Sequence, residues 1–171
     1  PKEGKWANIA PNTPLYKDGK IFFCHGYNIN GVMLQLSDDL KSVSVVWRTD
    51  VLDTHHGGYV EVNGTIYGSN WINNNQGNWC AIDWNTGAKG YETTWTGGKG
   101  KGSIIAADGM LYCYDERRGA VALVNPDPAK FDIVSEFRIT KGVGPHWAHP
   151  VIVNGVLYIR HGFALMAYKV K

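Results

Sequence analysis

The chain has no apolar run near the ~20 residues that a membrane-spanning helix requires, so no transmembrane helix is expected. No stretch of its 171 residues repeats apolar positions at a helical period, which argues against helices altogether. Neither sign of charge dominates. Seventeen Lys and Arg against 15 Asp and Glu leave +2, and no footprint for nucleic acid or an anionic membrane follows. Cysteine is sparse: Cys24, Cys80 and Cys113 make no CxxC pair, and an odd count does not make a disulfide framework. Buried or strand-end thiols are expected, with a Cys24–Cys113 bridge left open. No signal-like segment opens the chain, which is polar by Lys2, so a mature or trimmed product is expected. GxSxG, the P-loop and HExxH are all missing. Gly97-Gly-Lys-Gly-Lys-Gly102 has the glycines of a phosphate loop, but a strand rather than a helix N-terminus is expected after it.

What is abundant points to turns and short strands. There are 21 glycines, seven tryptophans and nine tyrosines, and the 44% hydrophobic content supports a packed core. Four segments share one pattern: Leu15-Tyr-Lys-Asp-Gly-Lys-Ile-Phe22, Val60-Glu-Val-Asn-Gly-Thr-Ile-Tyr67, Ile105-Ala-Ala-Asp-Gly-Met-Leu-Tyr112 and Val151-Ile-Val-Asn-Gly-Val-Leu-Tyr158. Their turn glycines, Gly19, Gly64, Gly109 and Gly155, are 45, 45 and 46 residues apart. Asp-Gly and Asn-Gly suit a type I′ turn, whose twist matches that of the flanking strands, so each segment reads as a hairpin. An aromatic three residues after every turn glycine implies one recurring packing site between units.

A third strand follows each hairpin: Val32–Leu36, Trp79–Asp83, Ala120–Val124 and Ala164–Tyr168. Outer strands ending in an aromatic come next, at Val45–Trp47, Glu92–Trp95 and Ser135–Phe137. Four strands in about 45 residues is the blade of a β-propeller. The fold class expected is therefore all-β: four antiparallel blades over 7–50, 51–97, 98–141 and 142–171, the last without its outer strand. Trp47, Trp79, Trp84 and Trp95 fall at strand positions and read as structural.

The pattern running from Asn63-Gly64 through Ala81-Ile82-Asp83 and Thr86-Gly87 to Trp95 resembles the repeat of the quinoprotein alcohol dehydrogenase-like (PQQ-like) β-propellers. The first unit lacks the Thr-Gly turn, and the third replaces it with Asn125-Pro-Asp-Pro128. The resemblance implies a larger ring of seven or eight blades and an extracytoplasmic location, periplasmic or secreted. It implies either a non-catalytic scaffold, as in the propeller lipoprotein of outer-membrane assembly, or a quinone-dependent alcohol or sugar dehydrogenase. Catalytic members hold PQQ and Ca²⁺ with a carboxylate base, acidic and amide ligands, a stacked tryptophan and often adjacent cysteines. No Cys-Cys pair occurs here, and Asp115, Glu116 and Asp53 are the acids near candidate positions. No cofactor is assigned on this basis.

Four blades alone leave open edges and an apolar face. Either Lys2–Trp6 is the outer strand that closes a four-bladed ring, or Trp6 ends an upstream blade. In the second case the partner is the remaining blades of the same protein, or a second copy.

Propeller loops alternate between two ends. Loops leading into a first strand, or joining second to third, share one end, and all six histidines fall there: His25, His55, His56, His146, His149 and His161. Trp71, Lys101, Glu116, Arg117, Trp147 and Arg160 join them, making a candidate site for a polar ligand or a protein. Trp71 and Trp147 are candidate ring-stacking platforms, and the Asn-rich stretch from Ser69 to Asn78 is the largest departure from the repeat. No metal site is assigned; His55, His146 and His149 are the weak candidate trio.

Overall fold

The computed structural model describes residues 9–170, so the Lys2–Trp6 segment lies outside the described residues. Every element among them is a strand, and the strands form four antiparallel sheets. The first contains β1 (Leu15–Lys17), β2 (Lys20–Cys24), β3 (Gly31–Leu36) and β4 (Val43–Thr49). The second contains β5 (Tyr59–Val62), β6 (Thr65–Ser69), β7 (Trp79–Asp83) and β8 (Lys89–Thr93). The third contains β9 (Gly102–Ala107), β10 (Met110–Asp115), β11 (Ala120–Asn125) and β12 (Asp132–Arg138). The last has three strands, β13 (Val151–Val153), β14 (Val156–His161) and β15 (Ala164–Lys169). Each sheet is a meander, and among the described residues the last has no outer strand, as expected.

The hairpins form because their turn residues accept left-handed backbone. Asp18, Asn63, Asp108 and Asn154 sit at φ 50–52°, and the glycine after each is also positive, at 74–83°. Two successive positive φ values define a type I′ turn. Pairing follows from it, with Lys17 opposite Lys20 and Val62 opposite Thr65. The units also share an irregularity. Each four-stranded sheet has a bulge between its third and fourth strands, at Met33/Leu34, Ala81/Ile82 and Leu123/Val124. Its place is the same each time, just beyond the residue paired with the recurring aromatic (Phe22, Tyr67 or Tyr112). A bulge adds local twist, which turns each outer strand relative to the inner ones.

The recurring aromatics fill the gap between successive sheets. Phe22 packs with Tyr59, Ile66 and Cys80 of the second sheet. Tyr67 packs with Ile104, Leu111 and Cys113 of the third, and Tyr112 with Leu157 and Ile159 of the fourth. Tyr158 is only half-buried, with no further sheet packed on it among the described residues. Trp79, Trp84 and Trp95 are buried and Trp47 is half-buried. Trp95 lies just past the end of β8 rather than in it; Trp95 O accepts from Lys99 N at 2.8 Å, starting the next turn early. All three cysteines are buried free thiols, so the Cys24–Cys113 bridge is not made.

The two outermost sheet faces are apolar and uncovered among the described residues. On the fourth sheet, Val151, Val153 and Leu165 are 52–70% exposed. On the first, Tyr16, Val43 and Val45 are 51–67% exposed.

Candidate functional site

The loops 25–30, 50–58, 70–78, 94–101, 116–119, 139–150 and 162–163 gather at one end of the sheets. Five histidines lie in these loops, and His161 closes β14 at the same end.

Asp53 shapes the innermost part of this rim. Its carboxylate accepts from the backbone N–H of Gly26 (2.8 Å), Asn28 (2.7 Å) and Asn30 (3.0 Å), organising a loop whose residues Gly26, Tyr27, Asn28 and Asn30 all have positive φ. Burial still outweighs those bonds and raises the Asp53 pKa. Asn12 contributes from outside the repeat. Its amide donates to Cys24 O, Thr54 O and His55 O and accepts from Gly58 N.

The Asn-rich loop 70–78 is held across the gap between the second and third sheets. Lys101, only 3% exposed, donates to Asn73 O (3.3 Å), Asn74 O (3.0 Å) and Glu116 Oε1 (2.5 Å). Arg117 Nη1 donates to Asn75 O at 3.0 Å, so three successive carbonyls at the loop tip meet two cations. His56 Nε2 lies 3.2 Å from the second Glu116 oxygen. Burial pushes the Glu116 pKa up, but hydrogen bonds from His56 and Lys101 outweigh it and hold the carboxyl below its ordinary range. Two sequence candidates, Lys101 and Glu116, thus meet each other within the rim.

A string of tilted and edge-to-face ring contacts runs beside this network. Trp71 lies 5.0 Å from Tyr27, Tyr27 4.6 Å from His55, His55 4.7 Å from His56, and His56 5.4 Å from Trp147. His149 Nε2 donates to His56 O at 2.9 Å, drawing the 139–150 loop to the same place. Trp147 is 58% exposed. A cavity of about 290 Å³ lies alongside, lined by Asn12, His56, Tyr59 and His149 among others. Burial, then the charges of His56 and Lys101, lower the His55 pKa.

The structure separates the remaining candidates from this string. His146 and His161 stack at 3.7 Å, Tyr114 Oη and His146 Nδ1 share a hydrogen bond, and both ring nitrogens of His161 lie within 2.8 Å of the carbonyls of Lys141 and Gly144. Burial, then His161, lower the His146 pKa to about 4. His25 is buried against Ile9 O, and Arg160 is exposed at the fourth sheet, bonded to Gly162 O. His55 and His146 face different partners, and no three His, Cys, Asp or Glu side chains among the described residues converge on a metal position. Tyr27 and Asn12 carry no motif; only the fold brings them here.

The charges of this rim do not balance. Asp53 and Glu116 are bound by internal donors. Asp115 is fully buried, its Oδ2 accepts from Arg117 N and Arg118 N, and its Oδ1 has no partner among the described residues. Among the described residues no carboxylate forms an ion pair with Lys99, Arg117, Arg118, Lys141 or Arg160. The opposite end carries Asp18, Asp38, Asp39, Asp83, Asp108 and Asp127 in its turns. The rim also fails the test for a Ca²⁺–quinone pair. Such an ion needs several free oxygen ligands, and here backbone N–H groups, Lys101 and His56 hold both oxygens of Asp53 and Glu116, leaving Asp115 Oδ1 as the one unbonded buried carboxylate oxygen among the described residues.

Four meander sheets with a recurring aromatic between them make this fold that of a β-propeller arc. No protein-family model and no curated protein matches the sequence. Solved structures do. BamB from Moraxella catarrhalis superposes with a TM-score of 0.69 at 13% identity over 96% of this chain and 48% of that one. A quinohemoprotein alcohol dehydrogenase, ADHIIG from Pseudomonas putida HK5, gives 0.57 at 16% identity over 86% and 28%. A europium-containing methanol dehydrogenase gives 0.55 at 14% over 77% and 25%. The chain spans about half or less of the length of these proteins.

Proposed function

We propose that this protein is a non-catalytic binding propeller whose histidine-rich rim receives an anionic ligand, either small or carried on a partner protein. The observation behind this reading is the charge arrangement: among the described residues Lys99, Arg117, Arg118, Lys141 and Arg160 at the rim make no ion pair with a carboxylate, while Asp53, Asp115 and Glu116 are held by internal donors and only the exposed Asp50 is left beside them. The exposed Trp147 next to His56 and His149 gives the same rim an aromatic surface. The sheets at both ends of the arc take further blades of the same protein, or a second copy, as their neighbours. An extracytoplasmic location belongs to the proposal and rests on family likeness alone.

The dehydrogenase reading requires the quinone and Ca²⁺, and the donor set does not suit them. Melting the protein with pyrroloquinoline quinone and Ca²⁺, and separately with a panel of small di- and tricarboxylates, distinguishes the two. A carboxylate at about 100 times its dissociation constant stabilises by about 2.7 kcal/mol and raises the melting temperature. A rise with the quinone and Ca²⁺ alone would overturn the non-catalytic reading.

A further inference from the structure

Outside the ring string, on the far side of the 70–78 loop, lies a groove of about 540 Å³ between the second and third sheets. Ile72, Asn78, Thr94, Thr96, Lys99 and Arg117 line it. We propose that this groove binds an acidic saccharide, a polyhydroxylated ring carrying an anionic substituent. It lies outside the ring string, but it shares Lys99 and Arg117 with the cations behind the reading above and rests on that reading, naming the ligand class for one part of the rim.

Three features support it. First, the backbone of Lys99 is left-handed at φ 79°, between Gly98 and Gly100, and its N–H closes a turn onto Trp95 O at 2.8 Å. Glycine adopts that conformation without strain and lysine does not, so in a loop otherwise rich in glycine the side chain is kept against a backbone cost. Second, Arg117 uses one N–H on Asn75 O, and among the described residues no carboxylate makes an ion pair with Lys99 or Arg117, the carboxylate that feels the charge of Arg117 being the buried Asp115. Two cations at one groove suit an oxyanion, the guanidinium as a fork and the ammonium as a point charge.

Third, two lining residues, Asn78 and Thr94, belong to a fixed polar network. Glu92 Oε1 accepts from Asn70 Nδ2 (2.8 Å) and Asn78 Nδ2 (3.1 Å), and Thr94 Oγ1 donates to Asn78 Oδ1 (3.0 Å). That network fixes Asn78 and Thr94 in the groove wall, while Ile72, 48% exposed, offers an apolar lip for the C–H face of a ring.

Lys99→Gly gives the test, because fold and binding should move in opposite directions. Titration calorimetry uses a galacturonic acid trimer, glucose 6-phosphate, a sulfated sugar, neutral maltotriose and inorganic phosphate. The wild type should bind at least one acidic sugar, and the three arms identify the anion. Lys99→Gly should keep or raise the melting temperature and weaken that binding about tenfold or more, while Lys99→Arg should retain it. Unchanged affinity in Lys99→Gly, equal binding of maltotriose, equal competition by inorganic phosphate, or no binding of any acidic sugar would each overturn the proposal.

Discussion

Glu116 and Lys101 show how a single pair of residues holds the rim. Both are almost fully buried, and Lys101 supports two of the three loop-tip carbonyls. Glu116→Gln leaves a buried ammonium without its anion. It should cost about 3 kcal/mol or more in urea unfolding, whereas replacing both residues with apolar side chains should recover much of that. His146 sets a pH dependence of a definite sign. Its folded-state pKa is about 4 against 6.5 for an ordinary imidazole, so the unfolded chain takes up the proton first. Stability should be complete above about pH 6.5 and fall progressively toward pH 4. Across that window urea midpoints should drop more for the wild type than for His146→Phe. Cys24, Cys80 and Cys113 are buried and burial pushes their thiols up. A thiol reagent should find none of them in the native protein and all three in denaturant. The chemistry of these residues was legible in the sequence only as location. Histidines at one end follow from loop alternation, but the Lys101–Glu116–His56 contact joins three loops and has no local pattern. Tyr27 and Asn12 were invisible for the same reason.

At the scale of elements the sequence was far more informative. The hairpin turns were readable because Asp-Gly and Asn-Gly act through their own backbone, and the recurring aromatics because a repeat of equal length places them at one interface. The shared bulge was not readable, since it arises from the pairing of two strands and leaves no fixed residue type: Met33, Ala81 and Leu123 differ. Gly109 allows the turn to be tested alone. Its φ is 74° and an added Cβ meets nothing within 4 Å, so Gly109→Ala should cost about 1 kcal/mol from backbone conformation only. Gly87 combines a φ of 70° with a Cβ position 2.7 Å from the Trp47 ring. Gly87→Ala should therefore destabilise more than Gly109→Ala when both are unfolded thermally.

The whole molecule is polarised in two directions. Along the arc, it ends in two apolar sheet faces, bearing Val151, Val153 and Leu165 on one and Tyr16, Val43 and Val45 on the other. Exposed faces of this kind associate, so the isolated chain should sediment as more than its 18.9 kDa. Across the arc, Lys99, Arg117, Arg118, Lys141 and Arg160 at the histidine rim make no ion pair among the described residues, while the turns at the opposite end are mainly acidic. Net charge alone, at +2, concealed this. Two charge-matched double variants test the rim directly by the salt needed to elute each from a carboxylate matrix. Arg117→Ala with Arg160→Ala removes two charges from the rim, and Lys20→Ala with Lys89→Ala removes two from the other end. A rim that receives anions predicts earlier elution for the first pair only; equal shifts for both, or a larger one for the second, would contradict it.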